Sequence, residues 1–202
     1  NFADEEYLSM DFTPDDNTVD IVFMGNVGVA QNLEDVVRSF KSAIEQIGDK
    51  NLIKLHIVGG GVRLDDIKKL VKELGIEDSV KFYGQRPQEE MPDFYKIADA
   101  CIVSLKADNM IGLTFPAKVQ GYMAAKKPVL GMIDGSCKKV INEASCGICV
   151  SAGDIKGFSD AIVKFSMEKD KWAEYGINSK NYFLKHFRKD IHVKAIEEEL
   201  KR

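Results

Sequence analysis

Residues 112–129 hold the side chains with the clearest chemical use. Thr114 and Pro116 read as a helix start, and Lys118 falls within its first turn. Backbone N–H groups, the positive end of the helix dipole and an ammonium would converge there, which is what a diphosphate needs. A lysine in a first turn runs against the dipole preference for acids, so a bound anion would explain it; a solvated surface lysine is the alternative. Gly25-Asn26-Val27-Gly28 leaves a strand-like run and enters a helical one, a place where N–H groups can approach a phosphate. A tight turn between strand and helix accounts for the same two glycines.

Other chemistries fail on spacing. A G-x-G-x-x-G fingerprint starting at Gly59 needs glycine where Leu64 stands, and one starting at Gly25 meets Val27. No G-x-x-x-x-G-K-[ST] phosphate loop is present. Cys146 and Cys149 have redox spacing but run into a strand rather than a helix, and no second pair completes a zinc site, so buried inert thiols are expected. His56, His186 and His192 have no convergent partner in the sequence and are not ligand candidates. Phe82, Tyr83, Phe94, Tyr95, Tyr182, Phe183 and Phe187 read as packing rather than a base-stacking platform.

The elements that must position these residues alternate. Strand-like runs at 19–24, 52–58, 80–83, 100–105, 128–131 and 147–150 are separated by helical patterns at 33–47, 64–74, 89–98, 116–124 and 138–144. Residues 155–202 are helical in character, with breaks expected near Gly176 and Phe187-Arg188. Six strands alternating with helices predict an α/β fold: a Rossmann-like parallel six-stranded sheet with helices on both faces, plus C-terminal helices. Ligands of such sheets sit beyond the carboxyl ends of the strands, where both candidate segments fall.

Composition sets the bounds. The chain has 202 residues, 45% hydrophobic and 30% charged, enough for a core and a solvated surface. Twenty-eight basic against 32 acidic residues give a net charge of −4, which invites no nucleic acid. No apolar run is long enough for a transmembrane segment, no signal peptide is evident, and four cysteines suit a reducing, cytoplasmic setting. The opening residues are acidic and non-periodic, and begin at Asn1 rather than Met. Residues 1–18 therefore read as a linker leading into a domain, and suggest a piece cut from a longer protein.

Four blocks in order resemble the glycosyl transferases group 1 family of retaining GT-B glycosyltransferases, nearest its bacterial surface-polysaccharide branch. Phe23-Met24-Gly25-Asn26-Val27-Gly28-Val29-Ala30-Gln31-Asn32-Leu33 looks like the family's first loop, and Val58-Gly59-Gly60-Gly61 like its second strand end. Phe82-Tyr83-Gly84-Gln85-Arg86-Pro87 through Ala98-Asp99 resembles a third block. Pro116-Ala117-Lys118, Tyr122-Met123-Ala124 and Lys127-Pro128-Val129 resemble the fourth.

The resemblance implies one half of a GT-B fold: residues 19–187 as the nucleotide-sugar-binding domain, and 188–202 as a helix crossing to the missing N-terminal domain, with Phe187, Ile191, Val193 and Ile196 partly orphaned. It implies a hexosyltransferase-type enzyme, inactive as a fragment, serving capsule or O-antigen synthesis. Lys118 would be catalytic; Gly25, Asn26 and Gly28 would face the phosphates, Gln85 and Arg86 the base, and Gly112, Leu113 and Thr114 the diphosphate and sugar. The donor would be UDP-linked, with no metal and no other cofactor. The acceptor, a saccharide or lipid-linked saccharide, would bind the missing domain, and the full protein could lie peripherally on the inner membrane face. The chain departs from the family at two points. Where many relatives carry two glutamates separated by seven residues it has Leu113 and Gly121, and residues 25–31 lack the usual basic residue. A non-catalytic nucleotide-binding module and a dinucleotide-dependent enzyme half remain the alternatives.

Overall fold

The six runs read as strands pair in parallel. A computed structural model describes residues 5–9, 18–107 and 115–190. Its strands are β1 (Val19–Met24), β2 (Ile53–Val58), β3 (Val80–Gly84), β4 (Ala100–Ser104), β5 (Val129–Met132) and β6 (Gly147–Val150), in the sheet order β3-β2-β1-β4-β5-β6. The helices are α1 (Leu33–Ile47), α2 (Leu64–Glu73), α3 (Met91–Ile97), α4 (Lys118–Ala124), α5 (Gly135–Ala144), α6 (Ile155–Met167) and α7 (Trp172–His186). This is the Rossmann-like arrangement expected from the alternation, with helices on both faces.

Because strand side chains alternate, each strand feeds two cores. Ile21, Phe23, Leu55, Ile57 and Ile102 join Phe40 of α1 and Phe158 and Phe165 of α6 on one face. Val22, Met24, Cys101 and Val103 join Tyr122 and Met123 of α4 and Phe183 of α7 on the other. The buried side of α1 is Leu33, Val36, Val37, Phe40 and Ile44, the spacing of one helical face, and Gly48 ends it at φ 79° with its N–H on the Ile44 carbonyl.

The order reverses at β1. The chain moves outward through β2 and β3, then returns to add β4 on β1's other side. Doubly wound sheets tend to bind ligands beyond the carboxyl ends of the strands near such a reversal.

Local differences from the sequence reading have physical causes. Gly176 does not break a helix: α7 runs through it, and a Cβ there would stand 2.5 Å from the Lys126 carbonyl oxygen, so glycine lets α7 lie close to the turn after α4. The break falls earlier, in a 3-10 turn at Lys169–Lys171. Residues 89–98 divide into a 3-10 turn, Gln88–Glu90, and α3. Pro116 precedes α4 and caps its first turn through its carbonyl, which accepts from Val119 N–H at 3.0 Å. Within the leading segment, Glu5–Ser9 forms a 3-10 turn whose Tyr7 is buried, its ring 5.2 Å from that of Tyr95. Phe187 is half-buried with its ring 5.2 Å from Phe115, while Ile191, Val193 and Ile196 lie outside the described residues.

Candidate functional site

Three strand ends are stitched together by backbone hydrogen bonds. Gly25 N–H donates to the Val58 carbonyl (2.9 Å), Val27 N–H to Gly60 (2.8 Å) and Gly59 N–H to Gly84 (2.8 Å). Gly59 has φ +142°, and a Cβ there would overlap the Gly25 carbonyl. The glycines that match no dinucleotide fingerprint thus serve a closer purpose, letting the loop after β2 lie against the loop after β1.

A cleft of about 320 Å³ opens on this platform, lined by Gly25, Asn26, Val58, Gly59, Gly60, Gln85, Arg86 and Met91. Four residues singled out from the sequence (Gly25, Asn26, Gln85 and Arg86) come together here. Arg86 is placed by its Nε, which donates to the Tyr83 carbonyl at 2.9 Å, and by Glu90, whose carboxylate lies 3.5 Å from Nη1. Gly28 is not in the lining. Its N–H donates to Gln31 Oε1 at 3.2 Å, within its own loop, as a tight turn requires. Gly112, Leu113 and Thr114 lie outside the described residues.

Lys118 opens α4, yet its ammonium reaches back over β1. Nζ is 4.1 Å from the centroid of the Phe23 ring and 2.6 Å from where a Cβ on Gly25 would stand. Glycine at 25 therefore gives the lysine room at the end of β1. Burial pulls the Lys118 pKa down to about 8, and no charged neighbour contributes to that shift. Among the described residues no hydrogen bond or ion pair reaches it. A half-buried ammonium of this kind, held on an aromatic face at the end of β1, is equipped to receive an anion.

One polar line escaped the sequence reading. His56, set aside for want of partners, bonds through Nε2 to Asp20 and through Nδ1 to the Tyr83 hydroxyl at 2.8 Å. Burial works to raise the Asp20 pKa, but hydrogen bonds from His56 and Thr18 outweigh it and leave the carboxyl below its ordinary value. The β2–β3 register shifts by one residue at Tyr83, so the same residue that meets His56 presents its carbonyl to Arg86. The available signal was alternation: Asp20, His56 and Tyr83 occupy one face of three neighbouring strands, but only the register, with His56 opposite Val22 and Lys81, sets them on a diagonal within reach of one another.

Of the two thiols expected to be buried, Cys146 is buried and Cys149 half-buried. Burial raises Cys146 to about 11 and Cys101, Cys137 and Cys149 to about 12. Among the described residues no group of three or more His, Cys, Asp or Glu side chains is placed to hold a metal, and no helix is long and apolar enough to cross a membrane.

The all-parallel sheet, with its order reversing at β1 and helices on both faces, defines a Rossmann-like α/β domain. The chain belongs to the glycosyl transferases group 1 family, whose model matches residues 6–182. It is similar to N-acetyl-alpha-D-glucosaminyl L-malate synthase of Bacillus anthracis, 24% identical over 205 residues that cover 98% of this chain and 51% of that protein. Among solved structures it is similar to HepE of Anabaena in complex with UDP, with TM-score 0.76, 17% identity, and coverage of 92% of this chain and 49% of that one. It is also similar to a glycosyltransferase from Rickettsia africae, with TM-score 0.78, 14% identity, and coverage of 100% and 55%. The chain therefore spans about half the length of these relatives.

Proposed function

We propose that this chain is the donor-binding half of a retaining glycosyltransferase. It holds a nucleoside-diphosphate sugar, with uridine as the nucleoside, while the sugar passes to a saccharide or lipid-linked acceptor in surface-polysaccharide synthesis. The observation that carries this reading is the Lys118 ammonium, without a hydrogen bond or ion pair among the described residues, lying over Gly25, a lining residue of the cleft that runs to Gln85 and Arg86, although Lys118 itself is not in that lining. Support comes from family membership and from the UDP complex of the similar Anabaena protein.

When the glycosidic bond breaks, negative charge builds on the departing diphosphate. A fixed positive group in a partly dry site lowers the energy of that state more than that of the bound donor, which is how binding becomes catalysis. Lys118 supplies the charge, since the Gly25, Val27 and Gly28 N–H groups are already bonded within the protein, and no metal is required. Its location, in place of a basic residue within the first loop, answers the absence of any lysine or arginine from residues 25–31. Gln85 and Arg86 contact the base at the far end. The domain read as 19–187 is the donor half, the acceptor belongs to another domain of the full protein, and transfer takes place in the cytoplasm at the membrane's inner face.

Titration of UDP by calorimetry tests the assignment. Lys118→Ala is expected to weaken binding by about 1.5–3 kcal/mol, or about 10- to 150-fold, with little change in melting temperature. Arg86→Ala is expected to weaken UDP but not pyrophosphate, since it removes a base contact only. Equal dissociation constants for wild type and Lys118→Ala remove Lys118 from the site. Stabilisation by NAD but not by any uridine nucleotide replaces the reading with a dinucleotide enzyme.

A further inference from the structure

Tyr122 is 1% exposed, and its hydroxyl is directed at two main-chain oxygens, the carbonyls of Met24 and Ile102, each 3.3 Å away. These carbonyls sit where the sheet divides. β1 and β4 stay in register only as far as Phe23 opposite Ile102, after which β1 gives way to the Gly25 turn. One hydroxyl hydrogen is thus shared between β1 and β4 where their pairing ends.

The same helix carries both groups. Tyr122 lies four residues after Lys118 on α4, one turn along the same side. Met24, which accepts from Tyr122, directly precedes Gly25, which the Lys118 ammonium covers. Around this tie the contacts are apolar or steric. The Tyr95 ring is 6.4 Å from that of Tyr122, and its hydroxyl would stand 2.8 Å from a Cβ on Gly121. Among the described residues, the hydrogen bonds that fasten α4 side chains to the sheet are those of Tyr122.

We propose that Tyr122 is a positioning residue: by bridging the Met24 and Ile102 carbonyls, its hydroxyl fixes where α4 sits along β1 and so holds the Lys118 ammonium over Gly25. Packing alone would let a short helix slide, because apolar contacts carry little directional preference. A slide of α4 would carry Lys118 off the Phe23 ring and into water. The consequence for nucleotide binding rests on the donor-site reading above; the placement of Lys118 does not.

The test compares Tyr122→Phe, which keeps the ring, with Ser179→Ala. Ser179 Oγ donates to the Lys127 carbonyl at 2.8 Å, so its loss removes a buried hydrogen bond near the other end of α4 without touching β1. Lys118 is acetylated with acetic anhydride across a pH series and its peptide quantified by mass spectrometry, and the midpoint reports how dry the amine is, with no ligand present. Wild type is expected near 8. Tyr122→Phe is expected to raise the midpoint by about one unit or more, toward that of a hydrated lysine, while Ser179→Ala leaves it in place. UDP affinity, measured alongside, is expected to fall about threefold or more in Tyr122→Phe only. A midpoint unchanged in Tyr122→Phe, or raised equally in Ser179→Ala, overturns the proposal. If wild type fails to bind UDP, the donor-site reading falls, and the labelling comparison still decides the role of Tyr122.

Discussion

At Lys118 two influences act on one ammonium. Burial disfavours the charge and lowers the pKa to about 8, while the Phe23 ring face, 4.1 Å from Nζ, favours it. The result is a group mostly charged at pH 7 that mild alkali discharges. A bound diphosphate would favour the ammonium and raise its pKa, so binding above pH 8 must draw in a proton. UDP affinity is therefore expected to hold steady up to about pH 7.5 and then fall about five- to tenfold by pH 9, as the charged fraction drops toward one tenth. Calorimetric titrations at pH 7, 8 and 9 check this, with Lys118→Ala expected to give a flat profile. A flat profile in wild type would mean that some other group neutralises the anion.

The start of β1 and the turn into β4 are joined by a reciprocal pair: Asp99 N–H donates to the Asp20 carbonyl, and Asp20 N–H to the Asp99 carboxylate, both at 2.8 Å. Burial raises the Asp99 pKa to about 6, outweighing the hydrogen bond from Asp20. A carboxyl with a raised native pKa holds a proton that the unfolded chain releases near 3.8. Its contribution to stability is full below that value and is lost as pH climbs through about 6. Asp20 has the opposite sign: its lowered pKa adds stability at neutral pH that disappears in acid. Asp99→Asn keeps an acceptor for Asp20 N–H but removes the buried charge. It should stabilise the fold relative to wild type more at pH 7 than at pH 4.5, by a difference of roughly 2 kcal/mol, read as a larger rise in melting temperature at pH 7. Thermal unfolding at the two pH values measures this, and an identical offset at both would show that Asp99 does not titrate in that window.

Taken whole, the chain presents its cleft and Lys118 along one edge of the sheet, while the two cores occupy its faces. Since the chain spans about half of its relatives' length, the 202 residues by themselves are expected to bind UDP without transferring sugar. Incubation with UDP-sugars and a panel of saccharide and lipid-linked acceptors checks the point, and turnover by this chain alone would place the acceptor site within it. The leading segment bears on the same architecture. Tyr7 is buried against Tyr95, on the face that carries α4, so the Glu5–Ser9 turn is anchored beneath the site.

Element order and identity were legible in the residues because they depend on local periodicity. The 3.6-residue spacing of Leu33, Val36, Val37, Phe40 and Ile44 makes a helix whatever surrounds it, and the β-branched run at 19–24 makes a strand. Glycines after strands marked the ends where loops turn, and Gly25, Asn26, Gln85 and Arg86 converge on one cleft because parallel crossovers bring every carboxyl end to the same edge. Contacts between distant segments were not legible. Gly176 reads as a helix break until α7 is seen against Lys126, and His56 reads as solitary until the strand register sets it between Asp20 and Tyr83. Gly28 reads as an anion-facing amide until Gln31 is seen to take its N–H. The reach of Lys118 to Gly25 spans 93 positions, the difference between 118 and 25, and depends on how α4 lies on β1. Periodicity fixes what a segment becomes; which groups meet depends on the packing of whole elements, and only the folded chain supplies that distance information.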